Sequence, residues 1–497
     1  MNYRLLAEKI STIEKTLLSP EPESSPWMFR LWQVFLYLGG VYLWAKFFDM
    51  AGKPPNFHDW YQVSIPRIDF IRQALVAGQW PLHAADDYLL YNVTDRFLAI
   101  PDVITTPQMV LLLFVSIPTF ILLDVLIHYS IAFFSLMYLR GKYNLSVLVT
   151  TVVFLVFNFS GHILSHYSVG HFTWAGYFLF PLFFVLVFEL MEKPPQWAWI
   201  AKMAFLLFYM VLAGSLHHYV WLLIFLGVLV LVRWRQAPQI IAAAFFSGTL
   251  AAIRLLPAGL EAANIEKKGA FNYVLGYPSI MELMQAMASL KRPHPVEQIL
   301  FFQTDTVNSF YWEFNYYIGI LGLTFVLFGL ILWIRDRQPL YWQLLIPTLV
   351  IFALSMGSTY RILRMTSLPL LLSERVTSRM VSVAITFFII IAAIYIQKWL
   401  NQRQFSPFQR VLMYASVMLI GIEIFTSLKL WRISESAVYF GSLTVENYYS
   451  SLANYHDPQY ELILTIGLIL TLCTAIFLLY QCARERQQKQ PPLSKNL

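Results

Sequence analysis

An all-α, polytopic transmembrane helical bundle is the fold class that this sequence predicts, and three observations predict it. Of 497 residues, 58% are hydrophobic and only 13% charged, about half the charge of an ordinary soluble domain. Apolar residues fall in blocks of roughly 17 to 25 rather than alternating with period two, which argues for spanning helices and against an outer-membrane barrel. Lys and Arg gather in alternate connectors. With mean hydropathy at +0.58, the chain cannot cover a soluble surface with polar groups. That excludes a disordered chain, a nucleic-acid-binding domain and a small secreted scaffold.

About twelve spans are expected from bilayer length alone, near 27–49, 107–139, 146–159, 173–190, 198–215, 219–233, 237–256, 315–334, 340–357, 377–397, 411–428 and 462–481. The first run is too long for a signal-peptide core, carries Arg30 at its start and lacks a small-residue cleavage site, so it is kept as a membrane anchor. Arg140/Lys142, Arg233/Arg235, Arg335/Arg337 and Lys398/Arg403/Arg410 fall on one side, together with Arg484 and Arg486. The positive-inside rule then puts both termini in the cytoplasm of a multi-pass plasma-membrane protein, and explains the net charge of +7 without any anionic partner. Cys473 and Cys482 are nine residues apart on one predicted helix, too far to pair.

The expected organisation is a solvated N-terminal segment (1–26), one membrane domain (27–481) and a tail (482–497). Four extracytoplasmic segments remain, 50–106, 257–314, 358–376 and 429–461. In the first, Ile68, Ile71, Leu75 and Val76 recur at helical spacing between Pro66 and Gly78-Gln79-Trp80-Pro81, with Asp69, Arg72 and Gln73 on the other face. This predicts an amphipathic helix lying on the membrane surface.

Chemistry-bearing residues gather on the same predicted side. The first loop holds Asp59, in Phe57-His58-Asp59-Trp60, and further on Asp86, Asp87 and Asp102. A carboxylate at a partly dry surface can serve as a general base because desolvation raises its pKa. If Gly161–His171 is helical, His162 and His166 share a face, the i,i+4 arrangement that can bind zinc or grip a phosphate, although no acidic third ligand accompanies them in that segment. His171, His217 and His218 bring the histidines on that side to five. Glu313, Glu374, Arg375 and Arg379 lie at or just outside membrane depth, where ionic groups pair or face a cavity. The two arginines suit either a phosphate diester or an internal ion pair with Glu374 or Glu313. Asp124 and His128, four apart inside a span, suit a proton relay or a self-satisfied pair.

The layout of a first span, a loop aspartate (Asp59), the helix Arg67-Ile68-Asp69-Phe70-Ile71-Arg72-Gln73-Ala74-Leu75 and then Gly78-Gln79-Trp80-Pro81-Leu82 resembles the GT-C superfamily of membrane glycosyltransferases. Within it, the Gly161–Pro181 run, Gly214-Ser215-Leu216-His217-His218 and Ser373-Glu374-Arg375-Val376-Thr377-Ser378-Arg379 are most similar to the YfhO-like and 6-pyruvoyl-tetrahydropterin synthase-related membrane families. The resemblance implies a GT-C-like bundle with a structured first extracytoplasmic loop. It implies an inverting transfer of sugar from a polyprenyl-phosphate lipid to an extracytoplasmic glycan, lipid or polymer, with membrane lipids as its surroundings and no nucleic acid. Asp59 is then the catalytic residue. His58, Arg67, Asp86, Asp87, His162, His166, His171, His217, His218, Glu313, Glu374, Arg375 and Arg379 are the substrate-binding candidates. The loop has His58-Asp59 and no DxD, so the residues establish no cofactor and a divalent metal stays open. A transporter or flippase for a lipid-linked intermediate, and a catalytically inactive GT-C-like scaffold, are the alternatives.

Overall fold

Helix boundaries follow punctuation in the sequence. A computed structural model of the chain describes residues 26–90, 93–194, 196–267, 274–293, 311–365, 374–440 and 450–489. The segment before Pro26, the last eight residues and parts of the three later outer segments lie outside the described residues. Helix α1 covers Pro26–Phe47 and α2 covers Ile65–Val76. Ser116 caps α3 (Ile117–Tyr143) by accepting from the Thr119 N–H, with Pro118 in the first turn, and α3 ends where Asn144 takes a left-handed φ of 50°. Ser146 caps α4 (Val147–Asn158) in the same way, and α5 follows as Gly161–Val169. The chain continues through α6 (Phe180–Glu192), α7 (Trp197–Leu212), α8 (Leu216–Val232), α9 (Ala237–Leu250), α10 (Ala252–Lys267) and α11 (Ile320–Arg335). It closes with α12 (Val381–Asn401), α13 (Pro407–Trp431), begun by a Ser406/Gln409 capping box, and α14 (Pro458–Lys489). No strand occurs among the described residues.

Among the described residues, six segments are long and apolar enough to cross a membrane: Ile117–Tyr143, Val147–Val169, Phe172–Glu192, Thr377–Asn401, Pro407–Trp431 and Pro458–Gln488. A bent pair, Leu216–Val232 with Trp234–Leu250, turns by 115° and raises the number to seven if it counts as one span. Two separate spans are expected at 219–233 and 237–256; the structure has two helices there, related by this bend. Trp197–Leu212, Ile320–Arg335 and Trp342–Leu354 are apolar but shorter. The first part of the expected tail (482–497) continues α14 as far as Lys489.

The segment Thr377–Asn401 is the buried axis of the bundle. Gly329 of α11 meets Ala392 there so closely that a Cβ would collide with the alanine backbone, the small-residue contact by which apolar helices approach. Pro407–Trp431 and Pro458–Gln488 are mostly exposed, and their outward Leu, Ile and Phe side chains are the surface expected to meet lipid.

The two ends of the bundle differ in chemistry. At one, Lys142 pairs with Glu192 at 2.8 Å, Arg233 donates to Gln343 at 2.7 Å and Lys398 pairs with Asp336 at 2.7 Å, so the short basic connectors meet. Parts of the 50–106, 257–314 and 429–461 segments cover the other. Residues 83–85 pair with 451–453 through Ala85 N–H to Ser451 O (2.8 Å) and Ala453 N–H to His83 O (3.1 Å), and Arg96 grips Asp457 and Glu261, each at 2.8 Å. Helix α2 is present, and protein covers much of its apolar face. Ile65, Ile68, Phe70, Ile71 and Ala74 are buried in protein, with Phe70 against Phe97 at 4.6 Å.

Candidate functional site

A left-handed turn builds the centre of the site. Helix α5 stops at Gly170, whose φ of 100° suits a residue without a Cβ. The Gly170 N–H bonds Tyr167 O (3.2 Å) and the His171 N–H bonds His166 O (2.9 Å), the paired bonds of a Schellman cap. That cap folds His171 back over His166, and the two Nδ1 atoms lie 2.7 Å apart. Gly170 also presses on the first outer loop: a Cβ there would lie 2.6 Å from the Asp59 carbonyl carbon. Trp60 Nε1–H to Tyr167 O (2.8 Å) and Ser64 Oγ–H to Gly170 O (2.6 Å) complete the lock. Asp59 thereby reaches His171, with Oδ2 2.9 Å from Nε2.

Proton positions follow from this network. A carboxylate only accepts, so the His171 Nε2 carries the hydrogen shared with Asp59. Trp174 Nε1–H donates to His171 Nδ1 at 2.9 Å, which makes Nδ1 the acceptor. The hydrogen between the two imidazoles therefore sits on His166 Nδ1. His166 Nε2 is left with no hydrogen-bond partner, 3.7 Å from Glu313 Oε2, inside a residue that is wholly buried.

Glu313 is clamped by Arg379, whose Nε donates to Oε2 at 2.5 Å while Nη2 donates to Oε1. The guanidinium carbon of Arg379 lies over the Trp174 ring at 4.8 Å. Of the two readings open for Arg379, the structure has the internal ion pair. Burial pushes the Glu313 carboxyl up, but the charge and hydrogen bonds of Arg379 outweigh it and hold the carboxyl below its ordinary value. Glu374 behaves alike: burial is overcome by His217 (Nδ1 to Oε2, 3.0 Å), by Arg379 and by Trp221 Nε1–H (2.8 Å). Arg375, beside it, is partly exposed.

Asp59 departs from expectation in one respect. Its side chain is 30% exposed, and desolvation does push its pKa upward. The His58 charge and the hydrogen bonds from His171 and His58 more than cancel that, so the carboxyl titrates well below the usual range. His58, with Nδ1 3.1 Å from Val169 O and 3.4 Å from Asp59 Oδ1, is shifted up: burial lowers it, and Asp59 wins.

The remaining candidates divide. His162 stacks on Tyr316 (5.2 Å) and meets His166 edge-on (4.6 Å), so the predicted shared face exists. His218 is buried edge-on against Trp174 (4.6 Å), and His217, 36% exposed, lies 5.9 Å from the same ring. Trp174 thus touches all five histidines. Sequence reasoning missed it, although an indole N–H three residues after His171 needs an acceptor. Arg67 is buried, bonding Leu89 O (3.1 Å) and Asp102 (2.9 Å). Asp86 is exposed and bonds the Tyr88 N–H (2.9 Å), a local turn; neither it nor Asp87 is brought to the Asp59 cluster. Asp124 accepts from Gln108 (2.9 Å) and is as buried as His128 beside it.

No protein-family model matches this chain, and no curated protein matches it either.

Proposed function

We propose that this protein is a GT-C-like glycosyltransferase of a bacterial plasma membrane, moving a sugar from a polyprenyl-phosphate donor to an acceptor on the extracytoplasmic face. The observation that carries this reading is the Asp59 carboxylate, partly exposed in front of a half-buried His171 and the buried His166, Glu313 and Arg379. Two buried carboxylates, an exposed imidazole and Trp174 and Trp221 line the same end of the bundle, a combination suited to sugar hydroxyls and faces.

In this reading Asp59 accepts the hydrogen bond of the acceptor hydroxyl and takes its proton as the new glycosidic bond forms opposite the departing phosphate. His58 and His171 keep it ionised and aimed. Its low pKa makes orientation the larger part of its work. Arg375, partly exposed beside Glu374, is the guanidinium assigned to the leaving phosphate. A twelve-span topology requires α1, the three shorter apolar helices and each arm of the bent pair to cross separately. Both termini would then be cytoplasmic, and the end where the basic connectors meet would be the inner one.

A transporter gains less support, because its deep pair is sealed: Asp124 and His128 are buried and Gln108 also reaches Tyr209 Oη at 2.8 Å. The test is to extract lipids from the purified protein, identify any polyprenyl-phosphate sugar by mass spectrometry, and follow its turnover with membrane extract as acceptor source. Co-purified donor that is consumed supports the proposal; transport of such lipids without cleavage would replace it.

A further inference from the structure

The strongest unexplained feature is electronic. His166 Nε2 and Glu313 Oε2 both present electron pairs to one buried space, 3.7 Å apart. The His166, His171 and Glu313 ligand atoms all lie within 4.8 Å of one another. Facing lone pairs in a low-dielectric interior repel, and a cation held between them relieves that repulsion.

We propose that His166, His171 and Glu313 bind one divalent transition-metal ion of the zinc class, with Asp59 orienting His171. Two imidazole nitrogens and one carboxylate oxygen suit zinc or cobalt rather than magnesium or calcium, which favour all-oxygen shells. Asp59 occupies the position that a carboxylate takes behind a metal-bound imidazole, accepting from the distal Nε2–H so that Nδ1 turns inward. Loading exchanges the hydrogen bonds that His171 Nδ1 accepts from the Trp174 and His166 N–H groups for a metal bond, so the two Nδ1 atoms separate. The Arg379 clamp is compatible, because each carboxylate oxygen has two lone pairs and Arg379 uses one of each. Three protein ligands leave a fourth position for a small ligand. The sequence alone paired His166 with His162; the Schellman cap supplies His171 in its place, and Glu313 is the acidic ligand that the histidine segment lacks.

The site stands on this geometry and does not require the transferase reading. The test uses full-length protein in detergent, stripped by chelator, then titrated with zinc or cobalt alone and assayed for bound metal and for the visible absorption of cobalt held by nitrogen ligands. Wild type is expected to retain one equivalent, and His217→Gln to match it. His166→Gln and His171→Asn are expected to lose it, and Asp59→Asn to bind roughly 10–100-fold more weakly. Melting curves of the metal-free variants verify that they fold. Wild type that yields no cobalt spectrum, or holds no more metal than the His166→Gln/His171→Asn double variant, overturns the proposal whatever the variants do. No sugar donor is present, so failure here leaves the transferase reading untouched.

Discussion

Asp59 and His171, 112 residues apart in sequence, meet at 2.9 Å because a glycine between helix and loop lets their backbones touch. This contact joins the first outer loop to the bundle, and the chemistry of the site depends on it.

Replacing Gly170 by alanine tests that contact without altering any polar group. The left-handed φ and the 2.6 Å approach to the Asp59 carbonyl carbon both oppose a Cβ. Gly170→Ala is expected to destabilise the protein by roughly 1–3 kcal/mol and to displace Asp59. A lowered melting temperature with loss of donor turnover is the predicted outcome, and an unchanged melt would contradict it.

The Arg379–Glu313 pair is fully desolvated, so breaking it from one side strands a buried charge. Glu313→Gln or Arg379→Gln alone should each cost about 3–5 kcal/mol. The double variant should cost clearly less than the two together, measured as a thermal-melt double-mutant cycle. Strict additivity would mean that the two side chains act independently.

Acid should loosen the outer layer. Burial pushes the Asp457 carboxyl up, but the Arg96 hydrogen bonds and charge, the Tyr460 N–H and His83 hold it below its ordinary value. A depressed carboxyl stabilises the fold above its unfolded pKa of about 3.9. That contribution is lost as pH falls through the folded value. Wild type should therefore melt higher than Asp457→Asn at pH 7, and the gap should close in acid as pH falls through the depressed folded value. A gap that persists in acid would assign the effect to packing.

The helical, membrane-type character was legible in the residues, because block lengths and charge asymmetry are local properties. So were the helix at 65–76 and the shared face of His162 and His166. What covers α2 was not, since amphipathicity shows that a face must be buried and not whether lipid or Phe97 buries it. The pairing of 83–85 with 451–453 and the grip of Arg96 on Asp457 span more than 350 residues and leave no periodic signature. The direction of the Asp59 pKa escaped because desolvation is read from a single residue, whereas the charge of His58 and the hydrogen bond from His171 act on it only once the loop and the turn at Gly170 are folded. Arg379 was undecided between phosphate and carboxylate until Glu313 was found on it.

The central claim is that the Asp59 carboxylate is the reacting group at the outer end of the bundle. Its most direct test is the rate at which purified Asp59→Asn releases polyprenyl phosphate from a polyprenyl-phosphate sugar, beside wild type and with matched melting curves. The account predicts a fall of about 10²–10⁴-fold. A folded Asp59→Asn protein that turns over donor at the wild-type rate would contradict it.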